Sequence, residues 1–274
     1  METNTHDLFS LNGKTAIITG GAGLLGQRYA RALATAGAQV IIWDNDAERV
    51  EKARTALERD GLPVRAQTID ITDEAQVQQA TEDVVKTFGR IDALINNAAM
   101  AAAVGDPEAL KQFVPYEEYP VSLWEKELKT NLTGTMICTK AVAPVMMRQK
   151  SGSIVNVASE VSVIAHDHRV YGNSEGKKFK SIAYTTTKAA ILGFTRQWAA
   201  RLGAYNVRVN AFSPGGVETP AMPKDFIQRF GAANMLGRMA QAGEYDGIVV
   251  FLCSDASSFV TGHNLIADGG KSAW

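Results

Sequence analysis

Short apolar runs take turns with helical stretches along the whole chain, and that alternation leaves few folds open. Strand-like segments stand at 14–20, a short apolar run, and at 39–44, 64–70, 91–98, 152–159, 207–216 and 264–270. Between them the apolar spacing turns helical over 27–38, 46–61, 73–89, 123–149, 182–203 and 242–255, with Pro144 a candidate kink in the long fourth helix. Strands alternating with helices across short connections predict an α/β chain. Its sheet is parallel, of about seven strands, with helices on both faces and right-handed crossovers.

The 274 residues are read as one doubly wound domain spanning 1–274, with two long polar excursions at about 99–121 and 160–181. The formal net charge of −1 gives no general attraction to nucleic acid or anionic membrane. The start, "METNTHDLFS", lacks the apolar core of a signal peptide, and no apolar run is long enough to span a bilayer. Cys138 and Cys253 lie far apart in apolar surroundings and read as buried free thiols, which fits a reducing, cytoplasmic setting.

Between the first strand and the first helix stands "TGGAGLLG" (19–26). Its glycines fit two registers: Gly21, Gly23 and Gly26 as GxGxxG, or Gly20, Gly23 and Gly26 at three-residue spacing. In either one, the strand–turn–helix context makes a phosphate cradle, as in Rossmann-type domains. A helix N-terminus offers free N–H groups and the positive end of its dipole, so Leu24 and Leu25 are expected to present theirs to a pyrophosphate. Asp44 closes the second strand, where a carboxylate accepts from adenosine ribose hydroxyls and repels a 2′-phosphate. Asn45 and Asp46 bring no positive charge, and Arg49 is the first basic residue after the strand. NAD is therefore expected over NADP. Asp46 is better placed than Asp44 to cap the following helix.

Tyr184 and Lys188 stand four apart in "YTTTK" and share one helix face. A free phenol, with a pKa of about 10, is a poor base at neutral pH. A neighbouring ammonium and a cationic nicotinamide ring both favour phenolate. Tyr184 is then able to take a proton from an alcohol as hydride leaves. Around this pair are "NNAA" (96–99) ending the fourth strand, Asn131 in "KTNLTG", Ser159 ending the fifth strand, and "PGGVET" (214–219) after the sixth. All of them fall at the carboxyl ends of strands or face that edge, where ligands of open α/β sheets bind.

In this set of motifs, from about Leu11 to the C-terminus, the chain resembles the short-chain dehydrogenase/reductase family. The resemblance implies Tyr184 as general acid/base and Lys188 as the residue that lowers its pKa and binds the nicotinamide ribose. It implies Ser159 as the hydrogen bond to the substrate oxygen and Asn131 as the holder of a relay water. Asp70 and the Ile71 backbone match the adenine contact, and Asn97 and Ala98 match the cofactor-contacting pair, with Ala99 where the family motif has glycine. Pro214, Gly215, Val217 and Thr219 match the segment gripping the nicotinamide carboxamide. Asp268-Gly269-Gly270 matches a C-terminal turn. The family's usual glycine spacing puts Gly where Leu24 stands; the glycine here is at Gly23. Relatives are usually homodimers or homotetramers that pair the 123–149 and 182–203 helices, so Met146, Met147, Trp198 and Trp274 are expected to line such contacts.

Ser159 and Tyr184 are 25 positions apart, and the family separation is roughly half as long. The extra chain, with His166, Asp167, His168, Arg169, Tyr171, Asn173 and Glu175, is expected to stand beside the reacting centre with the 99–121 excursion. His166, His168, Arg169 and Tyr171 are candidate substrate contacts, and so many donors and acceptors suit a polyhydroxylated substrate. The sequences "SVIAHDHRVYG" and "DGGKSAW" also resemble a branch of the family linked to sugar and surface-glycan metabolism. Lys177, Lys178 and Lys180 read most simply as a solvated face, alternatively as an attractor of a carboxylate or phosphate. His166 and His168, two apart on a loop, are expected to hold no metal.

The leading reading is an NAD-dependent oxidoreductase that interconverts a secondary alcohol and a ketone. The alternatives are a nucleotide-sugar epimerase or dehydratase, and a non-catalytic dinucleotide-binding scaffold. Enzymes of the first kind carry a substantial substrate domain after this helix, and the Asn131, Ser159, Tyr184 and Lys188 set argues against the second.

Overall fold

The structure, a computed structural model, describes residues 4–62, 64–101, 113–171 and 179–274. Seven strands pair in parallel: β1 (Thr15–Thr19), β2 (Gln39–Asp44), β3 (Val64–Thr68), β4 (Ala93–Asn96), β5 (Gly152–Val157), β6 (Val207–Pro214) and β7 (Asn264–Ala267), in the order β3-β2-β1-β4-β5-β6-β7. The helices are α1 (Thr5–Leu8), α2 (Leu24–Thr35), α3 (Ala47–Arg59), α4 (Glu74–Phe88), α5 (Val121–Leu128), α6 (Thr135–Gln149), α7 (Ile182–Leu202), α8 (Lys224–Ala232) and α9 (Asp246–Cys253).

Successive strand residues point to opposite faces, and the core divides accordingly. Ile18, Ile42, Ile95 and Val155 pack with α2, α3 and α9; their neighbours Ile17, Ile41, Leu94 and Ile154 pack with α4, α6 and α7. This two-sided burial is why the inner strands β1, β2 and β4 read as nearly unbroken apolar runs. Asp46 caps α3 by accepting from the Arg49 N–H at 3.0 Å, and Asp73 caps α4 by accepting from Ala75 and Gln76. Such caps are each worth about 1 kcal/mol. Beneath the site, Asn96 and Asn156 stand opposite each other on β4 and β5. The Asn96 amide donates to Asn156 Oδ1 at 2.8 Å and to Thr139 at 3.0 Å, and the Asn156 amide donates to Thr195 at 3.0 Å. These bonds tie both strands to α6 and α7.

The chain leaves β1 toward β2 and β3, then returns to place β4 on the other side of β1. That reversal opens a crevice at the carboxyl ends of β1 and β4, where the predicted motifs gather.

Several expectations change. The long fourth helix divides into α5, a π-helical turn at Lys129–Gly134, and α6, so the irregularity precedes Pro144 and α6 continues through it. A π turn widens the helix by one residue and is frequent at functional sites; this one carries Asn131. Helices α1 and α8 had no counterpart in the sequence pattern. Met146 is fully buried in its own chain's core, so it does not line a contact between subunits. Cys138 and Cys253 are buried free thiols, each pushed up to about 12 by burial. Among the described residues no helix is long and apolar enough to cross a membrane.

Candidate active site

The glycine loop is shaped by its own packing. At Gly20, with φ of +61°, an added Cβ would stand 2.7 Å from Ala98 Cα; at Gly21, 2.5 Å from Ile42 Cβ; at Gly26, 2.2 Å from the Gly20 carbonyl oxygen. Gly20 and Gly26 thus allow the tight turn, and Gly21 is spent on the sheet. Gly23 is the N-cap of α2, and no side chain caps that end. The N–H groups of Leu24 and Leu25 in the first turn are oriented for an anion. Asn97 braces the loop: its amide donates to the Thr19 and Gly20 carbonyls at 3.0 and 3.1 Å. The Asn97 and Ala98 N–H groups both donate to the Thr19 hydroxyl.

Asp44, buried at the end of β2, accepts from the Ala22 N–H at 3.2 Å and the Asp46 N–H at 3.4 Å, which fixes its carboxylate at the lip of the loop. The Arg49 guanidinium also reaches this lip, 3.5 Å from where a Cβ on Gly23 would stand. Asp70, just past β3, accepts from the Thr72 N–H at 2.8 Å, and Ile71 is buried against Gly134 of the π turn. Pro214 ends β6. The Gly215 N–H donates to the Ala267 carbonyl at 2.9 Å, and Tyr245 donates to the Gly215 carbonyl at 3.1 Å. Val217 pairs with Ala240 in an isolated bridge, and Thr219 accepts from the Met222 N–H, so this segment stands as a folded strap. Behind it, a cavity of about 660 Å³ lined by Gly215, Tyr245 and Asp268 reaches none of Ser159, Tyr184 or Lys188.

Ser159 follows β5, and Tyr184 and Lys188 lie on the first two turns of α7. The Ser159 hydroxyl lies beside the Tyr184 phenol and draws its pKa down. Burial outweighs this, and Glu160 and Glu127 add to it, pushing the phenol up to about 12. Lys188, 5.7 Å from the Tyr184 ring, donates to the Val157 carbonyl at 2.6 Å, and burial pushes its ammonium down to about 8. Burial dominates the phenol here, and the lowering that opposes it comes from Ser159. Asn131 clamps the turn beneath. Its side chain accepts from the Met100 N–H at 2.7 Å, donates to the Met100 carbonyl at 3.1 Å, and donates to the Thr187 hydroxyl at 3.2 Å. Phenol, hydroxyl and ammonium grouped together are able to polarise a carbonyl oxygen and exchange a proton with it.

The described residues of the two excursions form a wall above Tyr184. His166 stacks over the Tyr184 ring with centroids 6.4 Å apart, and Tyr171 stands edge-on to His166 at 5.9 Å. Burial, with Lys180, His168 and Lys271 adding to it, pushes His166 down to about 3, so the imidazole is neutral. Its Nε2 is buried without a hydrogen-bond partner among the described residues. The Tyr116 hydroxyl bonds His168 Nε2 at 2.9 Å, joining the two excursions, and α8 backs them through Phe226, whose ring lies 5.5 Å from Tyr171. Arg169 is turned outward, 91% exposed and paired with Asp167. Lys180 corrects the sequence reading: it is buried, not solvated, with its ammonium 5.1 Å from the Phe113 ring and pushed down to about 8. Asn173, Glu175, Lys177 and Lys178 lie outside the described residues. Among the described residues no cluster of side chains is arranged to hold a metal.

Two features escaped the sequence. Glu160, directly after Ser159, is buried and paired with Lys271 of the C-terminal turn at 2.7 Å, and Lys271 also lies 3.7 Å over the Phe230 ring. Glu127 is buried close enough to Tyr184 to raise its pKa. A single glutamate carries no local mark of burial in the sequence; both are buried by contacts with distant segments.

Residues 21–272 match the family model described as enoyl-(acyl carrier protein) reductase. The chain belongs to the short-chain dehydrogenase/reductase family. It is 35% identical to the 3-oxoacyl-[acyl-carrier-protein] reductase of Thermotoga maritima over 265 residues, covering 95% of this chain and 98% of that one. It is 35% identical to the D-threitol dehydrogenase of Mycolicibacterium smegmatis, covering 96% and 94% of the two. Among solved short-chain dehydrogenase/reductase structures, the gluconate 5-dehydrogenase of Burkholderia cenocepacia, in complex with NADP and tartrate, superposes with a TM-score of 0.86 at 28% identity, covering 99% of this chain and 100% of that chain. Within this family, the crevice, the uncapped α2 end and the buried Asp44 fit a nicotinamide dinucleotide.

Proposed function

We propose that the protein interconverts a secondary alcohol and a ketone on a polyhydroxylated, sugar-like substrate, with NAD preferred over NADP. The observation that carries the reading is the grouping of Ser159, Tyr184 and Lys188 at the crevice edge, under a wall of imidazole and phenol groups. The similar D-threitol and gluconate dehydrogenases, both named for polyhydroxylated compounds, support the substrate class.

The dinucleotide, when bound, supplies or accepts the hydride. Its phosphates would lie against the first turn of α2, with Asp44 at the ribose, Asp70 and Ile71 at the adenine, Asn97 and Ala98 along the crevice, and Pro214, Gly215, Val217 and Thr219 at the carboxamide. Ser159 donates to the substrate oxygen and holds it. Tyr184 gives its proton to that oxygen in reduction and removes it in oxidation. Lys188 supplies positive charge that stabilises the phenolate in between. Asn131 fixes the turn that carries Thr187 and Tyr184, and holds a relay water. His166 and Tyr171 meet the remaining hydroxyls of the substrate, with His168 steadying the wall behind them. Arg169 makes no contact in this arrangement.

The purified protein is expected to reduce NAD when given secondary polyols such as tetritols, pentitols and aldonates, and to act poorly on an acetoacetyl thioester. Dinucleotide binding without turnover on that panel would refute the reading.

The cofactor preference rests on Asp44, which stands where a 2′-phosphate would meet its charge. Asp44→Ala is expected to relax the NAD-over-NADP preference by about tenfold or more, since one lost like-charge contact is worth about 1–2 kcal/mol. Arg49, left facing the added phosphate, enhances the shift. An unchanged ratio of kcat/KM for the two cofactors would remove Asp44 from this role.

A further inference from the structure

Tyr184 sits near the start of its helix: it is the third residue of α7, in the first turn, where backbone N–H groups lack intrahelical partners and helices fray. A group that must be held to a fraction of an ångström needs that turn fixed from outside.

The fixing comes from a chain of three side chains. Ser181 is the N-cap of α7, and its hydroxyl oxygen accepts from the Tyr184 N–H at 3.0 Å. The same hydroxyl donates to Glu127 Oε1 at 2.8 Å. The Tyr119 hydroxyl donates to that carboxylate oxygen too, and lies 2.8 Å from Ser181 Oγ. Glu127 is only 2% exposed, at the end of α5 where that helix packs on α7. Proton counting shows what the carboxylate does. A carboxylate only accepts, so it draws both hydroxyl protons toward itself. The Ser181 oxygen then has its lone pairs turned to the helix. With an apolar residue at 127, Ser181 and Tyr119 would have only each other, and one hydroxyl proton would be left without an acceptor. A negative charge ahead of the first turn also complements the helix dipole. A buried carboxylate is costly without strong partners; Glu127 has the two hydroxyl donors and the favourable charge of the buried Lys180 ammonium.

We propose that Glu127 is a positioning residue for Tyr184, acting through Ser181 to fix the first turn of α7. The inference rests on Tyr184 being the acid/base. It assigns to Glu127 no contact with substrate or dinucleotide.

The test uses Glu127→Leu, Glu127→Gln, Ser181→Ala and the double variant Glu127→Leu/Ser181→Ala, assayed with NAD and a polyol and by NAD titration. Glu127→Leu is expected to lower kcat tenfold or more, with the NAD Kd changed less than threefold. Glu127→Gln keeps an acceptor at Oε1 and is expected to recover most of that loss. The double variant is expected to be no slower than the slower single, because both residues belong to one network. Wild-type kcat in Glu127→Leu, an equal loss in Glu127→Gln, or a parallel loss of NAD binding would each overturn the proposal. If Glu127→Leu does not fold, Ser181→Ala decides alone: a kcat loss with intact NAD binding supports it, and wild-type kcat overturns it. Tyr184→Phe run beside them separates the two layers. An active Tyr184→Phe removes the acid/base reading itself, whereas an inactive one next to a fully active Glu127→Leu removes only the positioning role.

Discussion

Replacing Tyr184 with Phe is expected to lower kcat by about a thousandfold or more while leaving the NAD Kd within about twofold. The substitution removes one oxygen. The phenyl ring still fills the space under His166, and the helix keeps its cap at Ser181, so neither packing nor the dinucleotide crevice is disturbed. What is lost is the proton donor and acceptor at the substrate oxygen, a contribution typically worth 10²–10⁴ in rate. The pH dependence carries the same signature. Burial raises the phenol to about 12, so the proton is present through neutral pH. Ketone reduction, which consumes the protonated phenol, is therefore expected to hold its rate through neutral pH and fall only in the alkaline range. Alcohol oxidation needs the phenolate and is expected to climb with pH. In Tyr184→Phe the climb disappears with the activity. A Tyr184→Phe enzyme with wild-type turnover, or one whose residual oxidation still rose with pH as before, would assign the proton transfer to another group.

Substituting Gly26 by Ala is expected to weaken NAD binding at least about a hundredfold, roughly 2.7 kcal/mol. The added methyl would sit 2.2 Å from the Gly20 carbonyl oxygen and 2.7 Å from Gly21 Cα. Both are backbone, so no side chain can swing aside. Gly20 cannot yield either, because Asn97 holds its carbonyl and Ala98 closes on its Cα. The turn must therefore open, and the free N–H groups of Leu24 and Leu25 lose their common direction. The seven-stranded sheet does not depend on that turn, so far-ultraviolet circular dichroism should be retained. NAD titration of the folded variant settles the point, and a Kd within threefold of the parent would show that the loop tolerates opening. The two glycine registers visible in the sequence thus have different meanings. Gly20 and Gly26 meet each other across the turn, Gly23 starts the helix, and Gly21 packs on Ile42, away from the crevice.

What the sequence made legible was whatever local spacing encodes. The inner strands stood out because a strand buried on both faces leaves a continuous apolar trace, whereas the edge strands β3 and β7, partly exposed, were placed by their position between helices and turns. The four-residue interval between Tyr184 and Lys188 put both on one face of a helix, and the strand-end positions of Asp44, Ser159 and Pro214 brought them to one edge. Illegible were features created by contacts between distant segments. Glu127 and Glu160 resemble solvated charges until α5 and the C-terminal turn are packed around them. Lys180 reads as part of a basic surface run until Phe113 covers it. Met146 has the look of an exposed methionine near a helix end, yet it fills the core under Gly152. The π turn around Asn131 left no trace, since one extra residue per turn shifts no apolar period noticeably. Helix α8 was missed because its buried Phe226 and Phe230 sit among polar residues in a stretch too short to show a repeat.

The bond between Tyr116 and His168 has a consequence for how such a chain changes over generations. Tyr116 and His168, each on its own segment, are 52 positions apart in the sequence but meet in the wall beside Tyr184. A substitution that reshapes one segment also removes a support from the other. New substrate preferences are then expected to arise by matched pairs of changes across the two segments rather than by drift in either alone. Transplanting a single segment from a relative should yield a poorer enzyme than transplanting both.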